Sequence, residues 1–418
     1  MANLFDFDAQ MSPEPDESRA SDRPSPDVAS AALPTPPKTQ TTLPISSPLS
    51  ANADDAFEDA LRLILVSGVG PRTRKALLER FGSARAVLAA GRAALCEVPG
   101  VGPKLAGKIL EAAAIDVLGE IELCRREGID ILLESDPGYP RPLKEIPDPP
   151  GAIFVRGTLL PRDAAAVGIV GTRHASVYGL RQAERLAAAL ARAGLTIVSG
   201  LARGIDAAAH RGAMSAGGRT LAVLASGVLN IYPPEHASLA EEVRAAGALV
   251  SESPPRVEPL AGQFPQRNRL ISGLSLGVIV IEAAERSGAL ITAKHALEQG
   301  REVFAVPGSI ESRTSRGCHR LIRDGATLVE SADDVLEALG PLVEAVPRND
   351  GPPLRRPAEL LLNAAERDVL SAIGEQATPI DQIVEATKLP AARVLATLSV
   401  LEMRRLIRRL SGTTVIRV

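Results

Sequence analysis

The sequence predicts an α/β protein organised on a doubly wound parallel sheet, with a small helical domain in front and a second small domain behind. Three observations predict it. Between about residues 160 and 340, short and nearly continuous apolar runs alternate with segments of helical period, as buried parallel strands and their crossover helices do. Gly194, Gly247 and Gly300 each precede a strand candidate, where the glycine that ends the previous helix belongs. The stretch 167–206, VGIVGTRHASVYGLRQAERLAAALARAGLTIVSGLARGID, is itself strand, helix and strand, and each apolar run ends in a glycine turn.

Composition narrows the class. Hydrophobic residues make up 45% and charged residues 23%, which suits a globular protein. No apolar run has the length of a membrane span and the N-terminus lacks a signal-peptide pattern, so a cytoplasmic protein that does not engage a membrane is expected. Cys96, Cys124 and Cys318 have no paired spacing, which argues against a disulfide framework or a zinc site. The net charge of −3 hides an asymmetry, because residues 1–55 hold nine acidic and three basic residues and leave 44 basic against 41 acidic in the rest. A body this close to neutral demands local basic clusters before nucleic acid is invoked. Aromatic residues are only 2%, with no tryptophan, so backbone phosphate contact is favoured over serial base stacking.

In chain order, residues 1–55 are Pro-, Ser- and Asp-rich and read as a disordered acidic arm. Residues 56–128 read as a helical domain with two Gly-apolar-Gly-Pro hairpins, Gly68–Pro71 and Gly100–Pro103. Such hairpins aim loop amides at a DNA phosphate, with Lys104 and Lys108 adding charge, or they simply turn the chain in a bundle; both readings stand. Residues 129–340 are a connector, with strand candidates at 129–133 and 152–155, followed by the sheet domain. Five prolines mark 341–358 as a linker. Residues 359–418 give three helices and then a two-stranded hairpin, the winged-helix plan, with Arg404, Arg405, Arg408 and Arg409 on the third helix and wing. That surface docks on DNA or is merely solvated.

The chemistry concentrates in four clusters of the sheet domain. Gly171-Thr172-Arg173 and Ser199-Gly200-Leu201-Ala202-Arg203-Gly204 close the first two strands, where a parallel sheet binds ligands. Each offers amides, a hydroxyl and an arginine, which is the composition of an anion site. Neither is a dinucleotide fingerprint, and no Gly-Lys-Ser/Thr occurs. The third cluster sets Arg267, Asn268 and Arg269 at the start of a helix, where positive charge opposes the macrodipole unless an anion is shared; the competing reading is a surface arginine pair held by an acid such as Glu252. The fourth places Ser287, Gly288 and Thr292 at another helix start, with Lys294 just beyond. Asp206, Glu282 and Glu285 raise acid–base chemistry or a metal as a rival, but the five histidines are scattered without ligand spacing, and His210 reads as a helix-surface or packing residue and not a catalyst.

These motifs carry a resemblance. Ser199–Asp206 is similar to SGxAxGID, Phe264–Ser275 to FPxRNRxIxGLS, and Ser287–Ala293 with Gly300–Gly308 to SGxLxTAxxAxxxGRxVxAVPG. In that order they resemble the DNA processing protein A family (DprA, also called Smf), over roughly residues 57–418. The resemblance implies a modified Rossmann core that binds single-stranded DNA without hydrolysing it and without a cofactor. It also implies homodimerisation through that core and loading of RecA recombinase during natural transformation. A SAM-like or helix-hairpin-helix unit in front and a winged helix behind are implied too. Arg173, Arg203, Arg267, Asn268 and Arg269, with Lys294 as an addition, match basic or polar motif positions. The family's GxGxDxxYP reads Ala225–Pro233 here, with Ala225 and Leu229 replacing a glycine and an acid, and His319 stands where asparagine is usual. Two rivals remain: a Rossmann-type nucleotide hydrolase using Glu282 or Glu285, which lacks the PGGxGT run such enzymes carry, and a duplex-binding regulator acting through the winged helix.

Overall fold

The structure is a computed structural model and describes residues 51–340, 364–374, 378–403, 407–411 and 414–417. The expected arm up to residue 50, the linker 341–358, and Arg404 and Arg405 lie outside the described residues.

Six helices come first: α1 (Ala51–Leu65), α2 (Pro71–Phe81), α3 (Ala84–Leu88), α4 (Arg92–Cys96), α5 (Pro103–Leu110) and α6 (Val117–Glu127). Helix α1 begins inside the stretch read as an arm, and α4 was not expected. Proline occupies the first turn of both α2 and α5, after Gly70 and Gly102, where its missing N–H costs nothing. Leu63, Leu77, Val87, Leu95 and Ile109 form the core of this bundle.

A nine-stranded sheet follows: β1 (Ile129–Leu133), β2 (Ala152–Gly157), β3 (Ala166–Val170), β4 (Thr196–Ser199), β5 (Thr220–Leu224), β6 (Ala248–Ser251), β7 (Gly277–Val280), β8 (Glu302–Ala305) and β9 (Thr327–Leu328). Its order is β1-β2-β6-β5-β4-β3-β7-β8-β9. The seven strands from β6 to β9 are parallel to their neighbours. The two connector strands are antiparallel additions at the β6 edge of the expected parallel sheet, which makes the nine-stranded sheet mixed. Residues of β7 show why the strands read as continuous apolar runs. Val278 and Val280 enter the core on one face, and Ile279 enters the core on the other.

Crossover helices divide between the faces. Helices α8 (Val177–Arg192) and α9 (Ile205–Ser215) pack on one face with α14 (Ala332–Leu339), and α10 (Ala237–Ala246) continues that side over β5 and β6. The short α7 (Arg141–Lys144) packs on the opposite face with α11 (Gln263–Gly273), α12 (Gly288–Glu298) and α13 (Arg316–Arg323). Winding therefore reverses at β3, which lies between β4 and β7. Open α/β sheets hold their ligand crevice at such a reversal, outside the carboxyl ends of the strands.

The C-terminal residues form α15 (Ala364–Ser371), β10 (Thr378–Pro379), α16 (Ile380–Thr387), α17 (Ala391–Met403), β11 (Ile407–Ser411) and β12 (Thr414–Arg417). The wing hairpin β11–β12 gains a third strand, because β10 pairs antiparallel with β12. Val369, Ile383, Val394, Leu398 and Val415 fill this domain's core. No helix among the described residues is long and apolar enough to cross a membrane.

Candidate functional site

A cleft of about 680 Å³ opens at the carboxyl edge of the sheet, where the winding reverses. It is lined by the turn after β3, by α11 and by the start of α12, with Ala202, Asp206 and Tyr232 completing the wall. Eight expected residues meet there: Gly171, Thr172, Arg173, Arg267, Asn268, Ser287, Gly288 and Thr292. Ser199, Gly200, Arg203, Gly204, Arg269 and Lys294 do not line it.

The first turn is held open toward solvent. The Thr172 amide donates to the main-chain oxygen of Glu282 at 2.7 Å, which ties the turn to the end of β7. Arg173 is exposed, and no carboxylate among the described residues lies within ion-pair distance of it. Its guanidinium instead lies 5.1 Å from the centroid of the Phe264 ring, a cation–π arrangement. Tyr232 meets the same ring edge-on, with centroids 5.6 Å apart at 66°. Ser287 caps α12, its Oγ accepting from the Ala289 amide at 3.3 Å, so the helix N-terminus faces the cleft. Asn268 spans from α11 to donate to the Gly288 oxygen at 3.3 Å.

The second turn differs from the expectation of an external anion. Leu201 takes φ +56°, a left-handed conformation that is costly for a branched side chain. With it, the amides of Gly200 and Ala202 both point at Asp206 Oδ2, at 3.1 and 3.4 Å. The chain's own carboxylate thus occupies this amide nest. Burial pushes the Asp206 carboxyl up from its ordinary range, opposed by Arg267, by the same two amides and by Arg173. Ser199 is buried and donates its hydroxyl to the Ile169 oxygen at 2.6 Å, a tie between β4 and β3. Arg203 pairs with Glu235 on the surface. Gly204 has φ +73°, and a Cβ there would sit 2.4 Å from the Thr172 oxygen, so glycine lets the two turns touch.

Arg267 and Arg269 are not at a helix start. They are the fifth and seventh residues of α11, and both are 6% exposed. Arg267 lies flat over Gly200 and donates to the main-chain oxygens of Gly200, at 2.8 Å, and Val223. Burial brings its pKa down to about 10, against the pull of Asp206, so it remains a cation at neutral pH. It forms the floor of the cleft and staples α11 to β4 and β5. Arg269 donates to Glu252 at 2.5 Å and to the Asp148 oxygen at 2.7 Å, away from the cleft lining. The reading in which Glu252 holds this arginine describes its geometry, although Arg269 is itself buried and Glu252 is half-buried. Lys294 is exposed and pairs with Glu298 one turn along α12 at 3.6 Å.

The rival carboxylates are placed as follows. Glu282 accepts from the Ser176 amide and hydroxyl at 2.9 and 2.5 Å, anchoring the start of α8. Glu285 is exposed and does not line the cleft. His210 is fully buried, as a packing residue would be. Sequence reasoning missed Phe264 and Tyr232 as a pair, since low aromatic content spoke against stacking. Two of the ten aromatic residues nevertheless sit in this one cleft, and the proximity of Phe264 to the Arg267 cluster was the available signal.

Fold and cleft define a Rossmann-like α/β protein with a helical hairpin domain in front and a winged helix behind. Comparison with family models matches residues 130–340 to DNA recombination-mediator protein A, 352–413 to the DprA winged helix domain and 60–114 to a SAM-like helix-hairpin-helix tandem. Protein Smf of Synechocystis is 37% identical over 394 residues, covering 87% of this chain and 98% of its own. DNA processing protein DprA of Bacillus subtilis is 47% identical over 217 residues, covering 51% and 73%. The crystal structure of DNA processing protein A from Streptococcus pneumoniae superposes with a TM-score of 0.59 at 36% identity, covering 67% of this chain and 97% of that one. The chain belongs to the DprA/Smf family.

Proposed function

We propose that the protein binds single-stranded DNA in the cleft without cleaving it and hands the strand to RecA recombinase in recombination or natural transformation, acting as a homodimer through its sheet domain. The observation that carries this reading is Arg173 lying on Phe264 at the mouth of an amide-lined cleft. A fixed cation on an aromatic face suits a phosphate next to a stacked base, the repeating unit of a single strand. Gly171–Arg173 and the N-terminus of α12 take successive phosphates, while Phe264 and Tyr232 take a base. Arg267 forms the floor, Ser199 and Gly204 hold the two turns together behind it, and Arg269 holds α11 in place. The names of the relatives, a recombination mediator and a DNA processing protein, support the same reading.

Two comparisons test it. Thermal stabilisation by an oligothymidine that exceeds stabilisation by AMP supports the strand reading, and the reverse order supports a mononucleotide site. RecA filament growth on strands coated with single-strand-binding protein, measured by RecA ATPase, accelerates when the chain is added; an unchanged lag refutes loading.

A further inference from the structure

An acidic side chain at the floor of an anion-receptive cleft is out of place if the cleft takes only phosphate. Asp206 lines the cleft, is 6% exposed, and would meet a bound phosphate with like charge. Its Oδ2 is fixed by the Gly200 and Ala202 amides, whereas Oδ1 has no hydrogen-bond partner among the described residues. Arg267 does not take that oxygen: its Nη1 donates to the main-chain oxygens of Gly200 and Val223, and its Nε has no hydrogen-bond partner among the described residues. The carboxylate is therefore rigid and largely buried, with one oxygen free of protein partners and open to the cleft. Such an oxygen can take an N–H from a ligand that enters the cleft.

We propose that Asp206 is a specificity-determining residue that reads the edge of one inserted base, favouring bases with an exocyclic amino group (cytosine, adenine, guanine) over thymine. The inference rests on the single-strand reading above. A strand that lays its phosphates on the first turn and α12 turns a base inward past Phe264 toward the floor. There an amino group donates to Oδ1, as cytosine N4 does to carboxylates elsewhere. Thymine offers only N3–H, flanked by two carbonyl oxygens that the carboxylate repels. One such hydrogen bond to a charged acceptor amounts to about tenfold to a hundredfold in affinity.

Fluorescence anisotropy with labelled oligodeoxycytidine, oligothymidine and oligodeoxyuridine of equal length tests this on the full chain. The wild type is expected to bind the cytidine strand at least about tenfold more tightly than the other two. Deoxyuridine should match thymidine, because the two share the same edge and differ by a methyl group. Asp206→Asn keeps an oxygen for the two amides but presents an NH2 to the cleft, so the preference should vanish or invert while binding persists. Equal binding of all three strands by the wild type overturns the inference, and it does so even if the variant fails to fold. A cytidine preference that survives in Asp206→Asn also overturns it. If the wild type binds none of the strands, the single-strand reading itself fails.

Discussion

Gly200→Ala perturbs the seat of Arg267. A Cβ at this position would lie 2.6 Å from both Nη atoms of Arg267 and 2.7 Å from Cζ. Carbon and nitrogen in contact prefer about 3.5 Å or more, so the guanidinium must withdraw by roughly 1 Å. Its hydrogen bond to the Gly200 oxygen, now 2.8 Å, then breaks, and its bond to Val223 is lost or bent. Hydrogen bonds to a charged group are worth about 1.5–3 kcal/mol each, and the displaced cation stays buried, so a loss of about 3–5 kcal/mol is expected. Hydrogen exchange of the β4 and β5 amides reads this loss locally, since these strands open only with the core. In an Arg267→Met background the same substitution should cost about 1 kcal/mol or less, and the difference is the coupling energy of the pair. An unchanged exchange profile in Gly200→Ala, or an equal cost in both backgrounds, refutes the stapling role of Arg267.

Gly204→Ala meets backbone, not a movable side chain: φ +73° and a Cβ 2.4 Å from the Thr172 oxygen predict at least about 2 kcal/mol of destabilisation in thermal unfolding. A variant as stable as the wild type would show that the two turns do not touch. Phe264→Ala removes the platform under Arg173 and should weaken oligothymidine binding by about 1–3 kcal/mol, with unfolding temperature as the control; unchanged affinity would move the base elsewhere. His210 is a pH-dependent element of stability. Burial, with His236 and Arg267 nearby, lowers its pKa from 6.5 to about 3. Its Nδ1 lies 2.6 Å from the Thr220 hydroxyl, which itself donates to the Ile197 oxygen, so Nδ1 carries the proton of a neutral ring. The unfolded chain protonates first on acidification. Stability from this group is therefore complete above pH 6.5 and is lost as pH falls from there toward 3, with a ceiling of about 5 kcal/mol. His210→Gln should flatten stability over that window, and an unaltered slope in urea titrations would contradict the assignment.

Local periodicity carried the parallel strands, both glycine turns and the winged helix, because each depends on contacts a few residues apart. The antiparallel pairing of β1 with β2, and of β2 with β6, is set by neighbours up to about a hundred residues away and left no local mark beyond two short apolar runs. The burial of Arg267 was legible after all. It shares a stripe with Leu270, Ile271 and Leu274 at the i, i+3, i+4 and i+7 spacing of a core-facing helix. Reading the residue by charge alone placed it on the surface. Asp206 and the second turn show the opposite limit. A Gly-, Ser- and Arg-bearing loop looks alike whether its amides await a ligand or hold the chain's own carboxylate six residues on, and only the left-handed Leu201 distinguishes the two.

A salt series of oligothymidine binding by anisotropy, with unlabelled duplex as competitor, compares the wild type with Arg173→Ala and decides whether the cleft holds the strand. Arg173 is exposed and makes no ion pair among the described residues, so its removal leaves the fold intact. The account predicts tight, salt-sensitive binding that duplex does not displace. In the variant, affinity drops and the slope of log K against log salt shrinks by about 0.7, the signature of one lost phosphate contact on a single strand. An identical slope and affinity in the variant, or equal competition by duplex, would place DNA binding outside this cleft.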